Sequence, residues 1–175
     1  MRKKKNHHFE TKVIHAGQKS DPTTGAVMTP IVLASTFEQS SPGVHKGYDY
    51  SRSINPTREA FENCIADLEN GYKGYGFSSG VAAISACVEL LSPGDHIIAM
   101  DDLYGGSVRL FNEIKSLSQG IEISYVDMTD TNNIKNAIKA STKMIFVETP
   151  TNPLLKIADL SKIAKLAKKE KILTV

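Results

Sequence analysis

The chain has no apolar run long enough to cross a bilayer, no export signal, and no marked excess of charge of either sign. The basic start Met1–His8 is followed by no apolar segment, so it is not a signal peptide; a cytoplasmic location is expected and a membrane role is not. A formal net charge of +2 gives nucleic acid little to bind. The run Arg2–Lys5 is short and terminal, and reads as a solvated tail. Cysteine is scarce: Cys64 and Cys87 stand far apart, each in an apolar helical pattern, so buried thiols are expected rather than a disulfide or a redox pair. His7 and His8 are two ligands at most, too few for a closed metal site, and no metal is expected.

What is present is an ordered alternation of elements. Residues 1–56 carry Pro22, Gly25, Pro30, Pro42, Gly43 and Gly47 and no sustained helical period, which reads as an extended N-terminal arm that needs another surface to order it. Residues 57–175 read differently. A helix is expected over 57–70 with Gly71 at its C-terminal cap, then a short strand over 75–77 and a helix over 79–91 stopped by Pro93-Gly94. Strands over 96–100, 121–126, 144–147 and 172–175 follow, separated by helices over 106–117, 134–140 and 160–169. Strands apolar on both faces and divided by helices imply an α/β fold, a mostly parallel sheet with helices on both faces. Val175 falls inside an apolar strand with no cap or polar tail, so the chain is expected to be truncated there.

In such a sheet, ligands bind beyond the carboxyl ends of the strands. Four segments there carry unusual residues. In Gly74-Tyr-Gly-Phe-Ser-Ser-Gly80, Ser78 or Ser79 can cap the next helix and Gly80 lets an anion approach its free N–H groups. Gly74, Gly76 and Gly80 also resemble a dinucleotide turn, with Asp101 or Asp102 as the ribose-binding acid, although the turn does not open a first βαβ unit. In Asp101-Asp-Leu-Tyr-Gly-Gly106, Tyr104 can lay its ring on a planar ligand, and Arg109 can pair with a carboxylate. Glu148-Thr-Pro-Thr-Asn-Pro153 holds Glu148 and Asn152 between rigid prolines, although turn formation also explains Asn152. In Tyr48–Arg58, Arg52 can clamp a phosphate with Tyr50 adding a hydroxyl.

Together these motifs resemble the cystathionine γ-synthase and γ-lyase family: Tyr50-Ser-Arg-Ser-Ile-Asn-Pro-Thr-Arg58, Phe77-Ser-Ser-Gly-Val-Ala-Ala83, Asp101-Asp-Leu-Tyr-Gly-Gly106 and Glu148-Thr-Pro-Thr-Asn-Pro153, in family order. Thr11–Gly17 and Thr29-Pro-Ile31 resemble its N-terminal arm. The resemblance implies the first part of a large domain like that of aspartate aminotransferase, with pyridoxal 5'-phosphate as cofactor. It implies that Ser79, Gly80 and Val81 bind the cofactor phosphate. Tyr104 stacks on the cofactor ring and serves as the catalytic residue within this chain. Arg109, Asn152 and Glu148 lie near the substrate. Tyr50 and Arg52 reach the phosphate of a neighbouring subunit in a homo-oligomer.

The implied chemistry is γ-elimination or γ-replacement on sulfur amino acids such as cystathionine, activated homoserine and cysteine. Asp49 points weakly to that branch. A cystathionine β-lyase or an O-acylhomoserine sulfhydrylase is the alternative, and a non-catalytic product that pairs with a full-length subunit is another. The family's ring-nitrogen aspartate, Schiff-base lysine and substrate-carboxylate arginine fall after Val175 in family order, so the 175-residue chain alone is expected to be inactive. Lys162, Lys165, Lys168, Lys169 and Lys171 read as surface residues.

Overall fold

The structure, a computed structural model, describes residues 7–175, so the Arg2–Lys5 run lies outside the described residues. It forms two compact units, divided after Gly76 rather than at residue 56.

The second unit holds four parallel strands, β3 (His96–Met100), β4 (Glu122–Val126), β5 (Thr142–Phe146) and β6 (Leu173–Thr174), in the order β4-β3-β5-β6. Every residue of β3 is buried. Successive strand side chains point to opposite faces, so burial without a break requires cover on both sides of the sheet at this strand. The strands expected over 96–100, 121–126, 144–147 and 172–175 are present, the last three with shifted ends. β5 begins at Thr142, ahead of its apolar run, because Thr142 is recruited as the partner of His96. β6 is short, but Val175 extends its ladder: its N–H donates to Ile145 O at 2.9 Å and its O accepts from Val147 N–H at 2.8 Å.

The helices are α3 (Gly80–Val88), α4 (Gly105–Arg109), α5 (Ser116–Gln119), α6 (Thr131–Ala137) and α7 (Leu160–Glu170). Ser79, Asp130 and Asp159 cap α3, α6 and α7 with their side-chain oxygens. The Asp130 cap starts α6 earlier than apolar spacing alone places it. The helix expected over 106–117 is interrupted: a π-helical stretch, Leu110–Lys115, joins α4 to α5. It buries Phe111, whose ring meets Phe146 edge-on at 5.1 Å, and buries Lys115 against Glu89 as an ion pair. Each large apolar side chain in this core contributes about 1.5–3 kcal/mol. Lys162, Lys165, Lys168, Lys169 and Lys171 are exposed.

The first unit contains β1 (Gln39–Ser41) and β2 (Val44–His45), an antiparallel hairpin, and two helices, α1 (Phe9–His15) and α2 (Pro56–Leu68). The arm is therefore not wholly extended, and it has something of its own to pack on. α1 lies against α2 through Gly17, whose φ is +71° and where a Cβ would lie 2.3 Å from Ala60 O. No other residue fits that approach. Further on, Val32 N–H donates to Thr57 Oγ1 at 2.9 Å, and Thr57 Oγ1 donates to Pro30 O at 3.0 Å. Backbone polarity thus orders the arm, while Ile31 and Leu33 stay exposed.

Three further expectations need correction. Residues 75–77 form no strand, because no neighbouring ladder pairs with them; Gly76 N–H donates instead to the Glu62 carboxylate at 2.8 Å. The left-handed residue ending α2 is Asn70 (φ 53°) rather than Gly71, whose N–H bonds Ala66 O at 2.7 Å. Cys64 and Cys87 are free but only half-buried. No helix among the described residues is long and apolar enough to cross a membrane.

Two polar groups brace the sheet at opposite ends. At the amino end, buried His96 bridges its neighbours through Nδ1 to Thr142 Oγ1 (2.8 Å) and Nε2 to Ser124 Oγ (2.9 Å). At the carboxyl end, Lys156 Nζ spans Asp101 (2.8 Å) and Asp127 (3.0 Å), tying the loop after β5 to those after β3 and β4.

Burial, then nearby Lys139, holds the His96 pKa below its ordinary 6.5. The unfolded chain therefore takes up the proton first, and stability falls as pH drops from about 6.5 towards the lowered folded value. Urea melts across that window should show this loss, and His96→Gln should flatten it. An equally steep profile in the variant would assign the loss to other groups. Asp127 sits at about 2, held down first by the Thr129 hydroxyl and N–H and then by Lys156. Its contribution is complete above the unfolded value of about 3.8 and is lost as pH falls towards 2. In a carboxyl-carbon NMR titration, Thr129→Ala should raise the Asp127 value more than Lys156→Met; the reverse order would make the lysine the dominant partner.

Candidate functional site

The carboxyl end of the sheet is assembled around one buried acid. Asp102 follows β3 directly and is 8% exposed. Its Oδ2 accepts from the Thr151 hydroxyl at 2.5 Å and from Leu154 N–H at 2.9 Å. The Thr151 oxygen in turn accepts from Lys156 N–H at 2.8 Å, and Thr149 Oγ1 accepts from Ala158 N–H at 3.0 Å. A buried carboxylate needs such partners. Here they also lock the loop over 148–158, whose Thr149-Pro150 and Asn152-Pro153 peptide bonds are cis. With Asp102 bound to this loop and Asp101 to Lys156, neither acid is free for a ribose, which removes the dinucleotide reading.

On this base stand Tyr104 and Glu148. Tyr104 N–H donates to Glu148 Oε2 at 3.1 Å, so the two sequence candidates do meet. The glutamate carboxylate is used to hold the tyrosine's backbone. Tyr104 as a residue is 49% exposed, which leaves its side chain at an open surface.

α3 supplies the anion-binding element and packs against α4, which begins directly after Tyr104. Ser79 Oγ accepts from Ala82 N–H at 3.1 Å, and Ser79 O accepts from Ala83 N–H at 3.1 Å. The N–H groups of Gly80 and Val81 have no protein acceptor among the described residues. A Cβ on Gly80 would meet no atom within 4 Å, so the space before them is open. Two free N–H groups, the hydroxyl hydrogen of Ser79 and the positive end of a helix form a donor set that suits a phosphate.

Arg109 and Asn152 are exposed, and their side chains make no hydrogen bond or ion pair with any described residue. The turn explanation of Asn152 therefore finds no side-chain support, and both groups are available to a ligand.

Tyr50 and Arg52 belong to the first unit. The segment around Tyr50 pairs antiparallel with Thr36, and Asp49 Oδ1 accepts from Tyr50 N–H at 2.7 Å. The Arg52 guanidinium lies 4.8 Å from the centre of the Tyr50 ring, within cation–π range. Two residues that sequence reasoning passed over fix this loop. Asn55 caps α2 and donates to Val32 O and Ser51 Oγ at 3.1 and 2.9 Å. Arg58 donates to Ser51 O and Ser53 O at 3.0 and 2.7 Å and pairs with Glu62. Asn55-Pro56 carried the signal for the first, an N-cap followed by proline at the first helical position.

Asp102, Thr151 and Lys156 were also missed as supports. The signal for Asp102 was two acids after a strand buried on both faces, a place where one must turn inward and find donors.

The family described as Cys/Met metabolism PLP-dependent enzyme matches residues 10–175. The chain is 58% identical over 171 residues to a cystathionine beta-lyase of Coxiella burnetii, covering 98% of this chain and 44% of that protein. It is 47% identical over 165 residues to a cystathionine gamma-lyase of Dictyostelium discoideum, covering 94% of this chain and 42% of that protein. The crystal structure of a cystathionine gamma-lyase from Lactobacillus plantarum complexed with L-serine superposes with a TM-score of 0.92 at 47% identity, covering 96% of this chain and 44% of that one. The chain thus spans less than half the length of these relatives. With a match across nearly all its residues, it belongs to the Cys/Met metabolism family of pyridoxal-phosphate-dependent enzymes.

Proposed function

We propose that this chain is the cofactor-phosphate and ring-stacking part of a pyridoxal-phosphate-dependent lyase or transferase of sulfur amino acids, working in the cytoplasm as a homo-oligomer. The observation that carries it is the pair of unpartnered N–H groups on Gly80 and Val81 at the start of α3, on the same unit as the exposed Tyr104 ring. The donor set fits a phosphate and the tyrosine fits a planar ring. Pyridoxal phosphate, when bound, supplies an electron-withdrawing ring that eases proton loss beside the substrate's amino group.

The roles of this chain's residues follow from what each still has free. Gly80 and Val81 donate N–H groups to the phosphate, and the Ser79 hydroxyl adds its hydrogen. Tyr104 covers one face of the ring and has a phenol for proton transfer. Glu148 acts through Tyr104 by holding its N–H. Arg109 offers a guanidinium to a substrate carboxylate, and Asn152 offers an amide. Tyr50 and Arg52, stacked on one another, reach the phosphate of a neighbouring subunit.

γ-Elimination or γ-replacement is one reading of the reaction, supported by the identity to the Dictyostelium gamma-lyase. β-Elimination is the second, supported by the higher identity to the Coxiella beta-lyase. Asp49, whose carboxylate accepts from Tyr50 N–H, adds weak support to the first reading through the family resemblance alone.

Full-length protein incubated with cystathionine should release a 2-oxo acid and ammonia. 2-Oxobutyrate with cysteine would support γ-cleavage, pyruvate with homocysteine β-cleavage, and cystathionine formed from activated homoserine and cysteine γ-replacement; formation of none of these products would refute the whole assignment. Residues 1–175 alone should release none, because no lysine in them matches the family's Schiff-base position. A second test addresses the phosphate. Gly80→Pro removes one donor while keeping the helix, because proline suits the first helical position and Ser79 already has the extended backbone proline requires (φ −159°, ψ 161°). Loss of a hydrogen bond to a charged group costs about 1.5–3 kcal/mol. The full-length apoenzyme variant should therefore bind pyridoxal phosphate about 10- to 100-fold more weakly by equilibrium dialysis. Unchanged affinity would remove α3 from the site.

A further inference from the structure

Two glycines open α4, and they stand in different surroundings. At Gly105 a Cβ would meet nothing within 4 Å. At Gly106 it would lie 2.4 Å from Cε1 of Tyr104, 3.1 Å from Cδ1 and 3.2 Å from Cζ. The edge of the tyrosine ring occupies the place where any other residue would carry its first side-chain atom. Neither glycine has a left-handed backbone, so conformation does not require them. Glycine is also a poor helix former, and its presence at 106 needs another reason. The ring supplies that reason.

We propose that Gly106 is a positioning residue: its missing side chain seats the Tyr104 ring, and so sets the face that Tyr104 presents to the cofactor. The seat completes a set of restraints on this one residue. Glu148 holds the Tyr104 N–H at 3.1 Å, and the Tyr104 O accepts from Ser107 N–H at 2.8 Å. Backbone bonds on either side fix where the tyrosine starts. They leave its side-chain rotation free, and Gly106 keeps open the one place the ring occupies, which any Cβ at that position would close. The inference rests on the stacking role proposed above for Tyr104.

The consequence is specific. Gly106→Ala favours the helix intrinsically, so a loss of function there would not come from unfolding. In the full-length apoenzyme with labelled tyrosine, NMR should show contacts between Tyr104 ring protons and the Gly106 α-protons. Gly106→Ala should shift those ring resonances, while Gly105→Ala should leave them in place and neither should lower the melting temperature. In the full-length apoenzyme, Gly106→Ala should weaken pyridoxal phosphate at least fivefold when Tyr104 is present and less than twofold in a Tyr104→Ala background. Unmoved ring resonances in Gly106→Ala, or equal weakening in both backgrounds, would overturn the proposal. If Tyr104→Ala alone binds the cofactor normally, the stacking role is what fails, and the ring resonances still decide whether Gly106 seats the tyrosine.

Discussion

The site depends on the carboxylate of Asp102. A parallel sheet delivers its strand ends to one side, but it does not fix the loops that leave them. In this chain a buried acid after the central strand accepts from the hydroxyl and backbone of the loop that leaves the next strand. The cost of desolvating Asp102 is offset only when both donors are in place, so the acid and the loop order each other. Glu148 sits at the head of that loop, and through it the position of Tyr104 is set. Lys156 adds a third strand end by way of Asp127. The lysine pair is exposed to water and screened, which makes it a secondary brace.

Much of the second unit was legible in the sequence because its signals are local. The run His96–Met100 reads as a strand buried on both sides, and it is one. The serine before Gly80 reads as a cap and is one, whereas the aspartates that cap α6 and α7 went unread. What was not legible depends on distant partners. Residues 75–77 have the composition of a strand but no ladder to join, and propensity without a partner makes no strand. The π-helical stretch inside the helix from Gly105, which buries Phe111 and Lys115, leaves no mark in a 3.6-residue pattern.

The arm makes the opposite case. Its apolar residues are few and scattered, so periodicity finds nothing, and an extended segment waiting for another surface was the natural reading. Yet its backbone is anchored by side chains of the helix that follows: Thr57, Asn55 and Arg58 bond to carbonyls and N–H groups of residues 30–53. Polar anchoring of this kind leaves the apolar side chains outside. Phe9, Ile14, Ile31 and Leu33 are exposed.

The same accounting sorts the site residues. Sequence reasoning proposed them by type, treating every acid, amide, arginine and tyrosine near a strand end as a candidate. The structure separates those whose hydrogen-bonding capacity is already committed from those whose capacity is free. Asp102, Glu148, Asn55 and Arg58 are committed to protein partners, and their work is to hold geometry. The N–H groups of Gly80 and Val81, the ring of Tyr104, and the side chains of Arg109 and Asn152 are not committed to any described residue. Buried polar groups rarely go unpaired, but these lie at a surface where water or a ligand can serve them. A ligand gains most where donors are held in place yet unpaired, because the protein has already met the cost of ordering them. That condition is met at the start of α3 by the Ser79 cap, and at Tyr104 by Glu148 on one side and Gly106 on the other.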